Sequence, residues 1–174
     1  MTPLAFSWTL PLLPLAVFAF VVATGRRTPR LLPAVCGIAA STVVFAASCG
    51  MLMLTSGGMV HHSSFVWLRL GERAVELGVL VDPLSSLMVA IVSFVSALVQ
   101  LYSIGYLHDD ERIRWFFGAI SLFTAAMLGV VLADGWLLMY LCWEVMGLAS
   151  YLLIGFWYHK GAAPPAAMKA FMVT

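Results

Sequence analysis

One acidic residue lies deep inside a long apolar stretch, and it is the first candidate for chemistry. Glu144 is eight residues into the segment 136–158, about 12 Å at the helical rise. An ionised carboxylate at that depth in a bilayer costs at least about 2.5 kcal/mol, so the group must be protonated, paired or hydrated. Gly147, Tyr151 and Gly155 lie on nearly the same helical face, and the small glycines there let another helix or water come close. We therefore predict a proton-exchange residue; the alternative is a structural carboxylate capped by a hydroxyl group.

Lys169 is the second candidate, in a sixth apolar segment that begins near Pro165. It is close to the positive end of that helix's dipole, which disfavours a cation. It is either a proton-path residue or an interfacial lysine whose ammonium group reaches the headgroups, and both interpretations stay open. If the fifth and sixth helices are antiparallel, Glu144 and Lys169 differ in depth by roughly 15 Å. We expect no direct pair, and a cationic partner for Glu144 beyond residue 174.

The composition is that of a membrane protein. Of 174 residues, 63% are hydrophobic and 10% charged, against about 25% charged in soluble domains. The net charge is +1 and no basic block is present, which argues against nucleic acid as a partner. The sequence contains no glycine-rich nucleotide loop and no HExxH or GxSxG motif. The cysteines Cys36, Cys49 and Cys142 lack metal-site spacing and are interpreted as packing residues. We predict no metal and no redox cofactor on this chain.

Apolar segments define the fold class. Each is long enough to cross a bilayer, which takes about 20 residues. The sequence therefore predicts an all-α, polytopic membrane helix bundle with five complete transmembrane helices and the start of a sixth. The sixth segment is expected to continue past Thr174, because nine residues cannot span a bilayer. The five complete segments are 4–24, 31–54, 84–107, 115–133 and 136–158.

The second connection predicts a β-hairpin on the outer surface. Residues 65–70 and 75–81 are rich in strand-forming types, and a Gly-Glu-Arg turn separates them. His61 and His62 are expected in a solvated loop before it. At the end of the connection, Asp82 before proline predicts the N-cap of the third span.

Arginine and lysine positions predict the orientation. The first connection, 25–30, holds three arginines, the third, 108–114, holds two, and the fifth holds Lys160. The long second connection, 55–83, holds only two arginines, and the fourth holds no basic residue. Because short cytoplasmic loops are enriched in Lys and Arg, the odd-numbered connections are predicted to be cytoplasmic and the N-terminus to be outside.

Several separate motifs, in the same order, resemble one family. They are VDPLS at 81–85, LYSIGYL at 101–107, RWFF at 114–117, LADGWLLMYLCWEVMGLASYLLIGF at 132–156 and AAMKAF at 166–171. Together they resemble the large antiporter-like membrane subunit of complex I, the NADH:quinone oxidoreductase, which is chain L in bacteria and chain 5 in mitochondria. The resemblance covers residues 79–174, which we interpret as the start of the proton-translocating module. Residues 1–78 form helices one and two with the external hairpin loop.

The resemblance implies a function. Members of this family are proton-translocating subunits (translocases) that couple quinone reduction to proton transport. The fifth-helix glutamate, here Glu144, pairs in that family with a lysine of the seventh helix. NADH, FMN, iron–sulfur clusters and quinone belong to other subunits. The expected partners are other membrane subunits and the lipid bilayer, in the inner (plasma) membrane of a bacterium.

Two other classes of function stay open at this point. One is the large subunit of a related multisubunit cation/proton antiporter, membrane hydrogenase or inorganic-carbon uptake complex, which uses the same module without NADH oxidation. The other is a membrane scaffold that transports nothing, in which Glu144 is inert. Gene neighbours separate complex I from its relatives, and proton flux separates transport from scaffold.

Single cysteines introduced at Arg27 and Glu111 test the orientation. Because the positive-inside bias places both connections in the cytoplasm, we expect an impermeant maleimide to label neither from outside intact cells. A cysteine at Arg69, in the second connection, is the control and should be labelled. External labelling of both Arg27 and Glu111 positions would reverse the predicted topology.

Overall fold

The computed structural model describes residues 4–71 and 73–174. Short 3₁₀ turns at 5–8, 25–27 and 155–157 flank the first and fifth helices. Six α-helices and one β-hairpin follow one another in this part of the chain: α1 Thr9–Thr24, α2 Leu32–Ser56, β1 His61–Leu70, β2 Arg73–Val81, α3 Pro83–Tyr106, α4 Ile113–Leu132, α5 Trp136–Ile154 and α6 Ala163–Val173.

Helical segments long and apolar enough to cross a membrane confirm the predicted architecture. They contain 19–25 residues, which matches the roughly 20 needed for the hydrocarbon core. Predicted and observed spans differ by at most two residues at any end. The sixth helix begins at Ala163, two residues before the predicted start, and has prolines in its first turn. The spans are Phe6–Thr24, Leu32–Ser56, Pro83–Tyr106, Ile113–Leu132 and Trp136–Trp157.

The helix α4 is the most enclosed of these spans, packing against α1, α2, α3 and α5. Glycines allow two of its close approaches, as is common between membrane helices. A Cβ at Gly118 would lie 3.0 Å from Val21 of α1, and one at Gly129 would lie 2.5 Å from the Cys142 sulfur of α5. Cys142 therefore has the packing role that the sequence predicted.

The connections gather at two opposite ends of the bundle. Connections 25–31, 107–112 and 155–162 meet at one end, which we call the arginine end; there Arg30 Nη2 donates to the carbonyl oxygen of Asp110 at 2.7 Å. The other, which we call the hairpin end, carries the β-hairpin and the α4–α5 turn. The odd-numbered connections thus share one side, as predicted.

The β-hairpin is antiparallel and closes across the hairpin end. Its strands pair from His61 with Val81 to Leu70 with Arg73, with a bulge at Trp67. Gly71, in the turn, has φ +63°, a conformation that glycine adopts without strain. Strand β1 starts earlier than predicted, so His61 and His62 are strand residues and the expected loop placement was wrong.

Polar contacts attach the hairpin to the α4–α5 turn. The backbone N–H of Asp134 donates to the Gly78 carbonyl at 3.0 Å. His62 Nε2 lies 2.6 Å from the Asp134 carboxylate. Val79, in the same strand as Gly78, is buried against the apolar core at this end. These contacts hold the hairpin against the hairpin end of the bundle.

A capping box begins α3, as predicted. Asp82 Oδ1 accepts from the Ser85 backbone N–H at 2.7 Å, and the Ser85 hydroxyl oxygen accepts from the Asp82 N–H at 2.8 Å. The backbone and side-chain hydrogen bonds from Ser85 hold the pKa of Asp82 below its ordinary value. The cap satisfies N–H groups that the first turn of a helix leaves without acceptors.

Small polar side chains run through the α2–α3 interface at intervals of seven residues. Every member is fully buried. Thr55 Oγ1 lies 3.3 Å from Ser86 Oγ at the hairpin end of the row. We call this the polar row: Ser41, Ser48 and Thr55 on α2, with Ser86, Ser93 and Gln100 on α3.

Gln100 is the largest member of the polar row and links three helices. Its Nε2 donates to Ser41 Oγ at 2.9 Å and to Ser96 Oγ at 3.0 Å. Ser96 in turn is 2.6 Å from the Thr124 hydroxyl of α4. The Gln100 amide oxygen faces Gly37, where a Cβ would overlap it. Glycine at position 37 therefore makes room for the amide.

A glycine pair on α2 tests this packing. Gly37→Ala should destabilise the bundle, because the added methyl group displaces the Gln100 amide and its two hydrogen bonds, worth about 1 kcal/mol in membrane interiors. We expect the temperature at which half of the chain aggregates in heated native membranes to fall by about 2–4 °C.

Gly50→Ala is the matched control, since a Cβ there meets no atom within 4 Å. It should leave the transition unchanged or raise it, given the higher helix propensity of alanine. Equal transitions for the two variants would show that the Gln100 contact contributes nothing to stability.

Candidate functional site

Glu144 lies on an uncovered face of α5. That helix buries only Gly147 and Ala149, and the Glu144 side chain is exposed within the part of the chain that the structure describes. The Tyr140 hydroxyl, one turn earlier on the same face, interacts electrostatically with the carboxylate. None of the Lys, Arg or His side chains that the structure describes forms an ion pair with it. The carboxylate thus has a hydroxyl neighbour and an open side.

The predicted glycine face of α5 receives α6. Gly155 faces Ala167, where a Cβ would lie 3.5 Å from the alanine methyl group. One turn further, the rings of Tyr151 and Phe171 are 5.7 Å apart in an edge-on arrangement. These contacts show that α6 runs antiparallel to α5 and advances along it toward Glu144.

The last contact of this series lies one turn short of Glu144. A Cβ at Gly147 would lie 3.6 Å from the Thr174 side chain. The small residues therefore allow α6 to approach α5 closely, which is an ordinary role of glycine between membrane helices. Glu144 lies on the same face, just past the described end of α6.

Lys169 lies on α6, between its Ala167 and Phe171 contacts, and its side chain is exposed. The α5–α6 register places it level with residue 153, nine residues from Glu144, or about 13 Å along the axis. This agrees with the predicted separation, and the two side chains form no ion pair. The roles proposed for Glu144 and Lys169 stay predictions.

Sequence reasoning missed two groups of polar residues that the fold brings together. One is the polar row of α2 and α3, whose seven-residue spacing was a readable signal. The other is a set of three arginines at the arginine end, Arg30, Arg112 and Arg114. Arg30 is more than 80 residues from Arg112 and Arg114 in the sequence, so no local pattern predicted that the three would meet.

The five described spans contain a single carboxylate, that of Glu144. Among residues 4–71 and 73–174, no three His, Cys, Asp or Glu side chains converge as metal ligands would. A deep carboxylate beside a phenol can take up a proton, release it, or pair with a cation brought by another helix.

Two family models match the chain. Residues 67–117 match the model described as NADH-ubiquinone oxidoreductase (complex I), chain 5 N-terminus. Residues 133–174, which include Glu144 and Lys169, match the model described as NADH:quinone oxidoreductase/Mrp antiporter, TM. The two matches are consecutive and together cover the motifs identified in the sequence.

Curated relatives align along almost the whole chain. NADH-quinone oxidoreductase subunit L of Mycobacterium tuberculosis is 43% identical over 176 residues, covering 97% of this chain and 27% of the relative. F(420)H(2) dehydrogenase subunit L of Methanosarcina mazei is 40% identical, covering 97% and 25%. The chloroplastic NAD(P)H-quinone oxidoreductase subunit 5 of Chara vulgaris is 38% identical, covering 95% and 26%. The chain thus spans about a quarter of the length of these relatives.

A solved structure shares the fold. A chain of the membrane-bound sulfane sulfur reductase, an archaeal respiratory membrane complex, superposes with a TM-score of 0.78 over 95% of this chain and 33% of its own length, at 16% identity. Consecutive family matches, relatives aligned over nearly every residue and the five spans agree with one another. The chain is a multi-pass membrane protein that belongs to the family of antiporter-like subunits of complex I.

Proposed function

We propose that this chain is part of a proton-translocating membrane subunit of a quinone oxidoreductase of the complex I type. The observation that carries the proposal is the position of Glu144, the one acidic residue of the five spans, on a helix face that the described bundle leaves open. Residues that ionise within a membrane are costly and mark proton paths or ion pathways. Membership of the family supports the same assignment.

The proposed mechanism depends on a change of charge at Glu144. Facing lipid, the ionised carboxylate would cost at least about 2.5 kcal/mol, and its interaction with the neighbouring Tyr140 hydroxyl offsets only part of that. A cation on a helix packed against this face, a lysine in this family, would stabilise the charged form. Moving that cation away would favour uptake of a proton, so the pair couples helix movement to proton transfer.

Lys169 is proposed as a second titratable group of the path. It faces outward from α6, and about 13 Å of helix separates it from Glu144. Proton transfer between them would need water or a further side chain from a later helix. The alternative interpretation, a lysine that reaches the headgroups, predicts that its replacement leaves pumping unchanged.

Electron transfer is assigned to other subunits of the assembly. Relatives named for NADH, F(420)H(2) and NAD(P)H are 43%, 40% and 38% identical to this chain, so the electron donor changes while this sequence is retained. We therefore propose that NADH, FMN, iron–sulfur clusters and quinone bind elsewhere in the complex. The proposed location is the inner membrane of a bacterium, with the N-terminus outside and the arginine end in the cytoplasm.

Glu144→Gln in the full-length subunit tests the proposal. The amide keeps the shape of the side chain but cannot change charge, so it cannot alter the protonation of a partner cation. We expect an assembled complex whose proton pumping and coupled quinone reduction fall by about 5- to 150-fold, the range of coupling between linked sites. Pumping is measured in inverted membrane vesicles with a pH-sensitive dye.

Two further variants, one conservative and one a control, are compared with Glu144→Gln. Glu144→Asp retains the charge on a shorter stem and should lose less activity. Glu76→Gln removes an exposed carboxylate of strand β2, bonded to Ser64, and should pump normally. If Glu144→Gln pumps at the wild-type rate in assembled membranes, the carboxylate is structural and the scaffold interpretation is correct.

A further inference from the structure

A pocket of about 560 Å³ opens at the arginine end. It lies between the first connection and the start of α4, away from Glu144. Apolar side chains, Val21 of α1 and Trp115 of α4, form one part of its wall, and charged side chains form the other. The charged residues are Arg30, Glu111, Arg112 and Arg114.

Positive charge dominates this pocket. Three guanidinium groups face one carboxylate, that of Glu111. Across the connections 25–30, 108–114 and 159–162, six Lys and Arg residues stand against three Asp and Glu residues. The pocket therefore suits an anion better than a cation or a neutral ligand.

None of the three arginines forms an ion pair with an acidic side chain in the described part of the chain. The Asp110 carboxylate accepts from Trp157 Nε1 and from the Arg112 backbone N–H, both at 2.8 Å. Burial raises the pKa of Asp110, but these hydrogen bonds and the nearby Arg112 and His159 side chains together lower it below its ordinary value. Asp109 is fully exposed beside His108.

Two of the arginines are held in place by the protein. Arg30 Nη2 donates to the carbonyl oxygen of Asp110 at 2.7 Å. Arg112 Nη1 donates to the carbonyl oxygen of Phe156 at 2.5 Å, and its guanidinium stacks 4.6 Å from the Tyr158 ring. These contacts fix the direction of both groups and leave some of their N–H donors available.

Arg114 differs, because its Nε is enclosed yet donates to no acceptor in the part of the chain described. An unsatisfied buried donor costs about 1–3 kcal/mol, and more when it carries charge. Arg114 also lies in the first turn of α4, where backbone N–H groups lack helical acceptors and the dipole is positive. The guanidinium charge of Arg114, which lines the pocket, and the positive end of the α4 dipole both favour an anion there.

The pocket also lies at the depth of lipid headgroups. Arg114 is the second residue of the span Ile113–Leu132, so the guanidinium is at the boundary between the polar and apolar layers. Trp115 is a residue type that favours this boundary. A ligand here would place an anionic group on the arginines and an apolar part against Val21, which matches a phospholipid and not a soluble ion.

We propose that this pocket binds the phosphate headgroup of an anionic phospholipid in the leaflet at the arginine end, with Arg114 as the main donor and Arg30 as the second. Basic pockets between membrane helices bind such headgroups. The bound phosphate accepts from the guanidinium groups of Arg114 and Arg30 that line the pocket, and the acyl chains lie along α1 and α4. The site depends on the membrane spans and not on proton transport by Glu144.

The test uses the full-length subunit in its assembled complex, reconstituted into vesicles of phosphatidylcholine with 20 mol% (about one lipid in five) phosphatidylglycerol that carries a photoactivatable headgroup. In wild type, we expect lipid to crosslink to peptides containing Trp115. Arg114→Gln should raise the lipid concentration at which this crosslink is half-saturated by about tenfold or more, because a charge-assisted hydrogen bond is lost.

Arg69→Gln, on the hairpin at the opposite end of the bundle, is the matched control and should crosslink like wild type. If the Arg114→Gln complex does not assemble, Arg30→Gln is tested instead. This variant keeps the main donor, Arg114, and should weaken the crosslink by less than the roughly tenfold change expected for Arg114→Gln. Proton pumping is measured in parallel, so that loss of lipid is distinguished from loss of the Glu144 function.

Three results would overturn the proposal. The first is equal crosslinking at position 115 in wild type and the arginine variants. The second is complete displacement by millimolar inorganic phosphate, which would identify a soluble-anion site. The third is a crosslink from this pocket to another protein segment in place of lipid, which would show that a subunit fills it.

Discussion

Water is absent from the bilayer interior, so polar groups inside this chain depend on partners that the protein supplies. Helices satisfy the backbone in all five spans. The side chains obey the same constraint: Gln100, fully buried, finds Ser41 and Ser96 as acceptors. The polar row thus occurs where α2 and α3 meet, because on a lipid face its hydroxyl and amide groups would lack partners.

Glu144 departs from this constraint. Its face of α5 stays open, while the neighbouring positions Gly147 and Gly155 are covered by α6. The Gln100 amide nitrogen is paired inside the bundle, whereas the Glu144 carboxylate lies on a face that the described helices leave uncovered. The relatives that this chain matches are about four times as long.

Charged residues at the two ends of the bundle have different surroundings. At the hairpin end, the Asp134 carboxylate contacts His62 and the Asp134 backbone N–H donates to the Gly78 carbonyl oxygen. These two contacts hold the hairpin against the bundle. At the arginine end, the Asp110 carboxylate accepts a hydrogen bond from Trp157 Nε1. The enclosed Arg114 Nε has no acceptor in the described part of the chain. One end is closed by its own contacts, and the other retains a positive pocket at headgroup depth.

The sequence by itself determined the spans, the hairpin, the Asp82 cap and the position of Glu144 within the fifth span, because each depends on local composition or on spacing along one helix. Tertiary structure alone decided that Gln100 faces Gly37, that His62 meets Asp134, and that three distant arginines surround one pocket. These contacts join residues many positions apart, and helix rotation and crossing decide which of them meet. A pattern within one segment carries no information on the rotation of another helix against it.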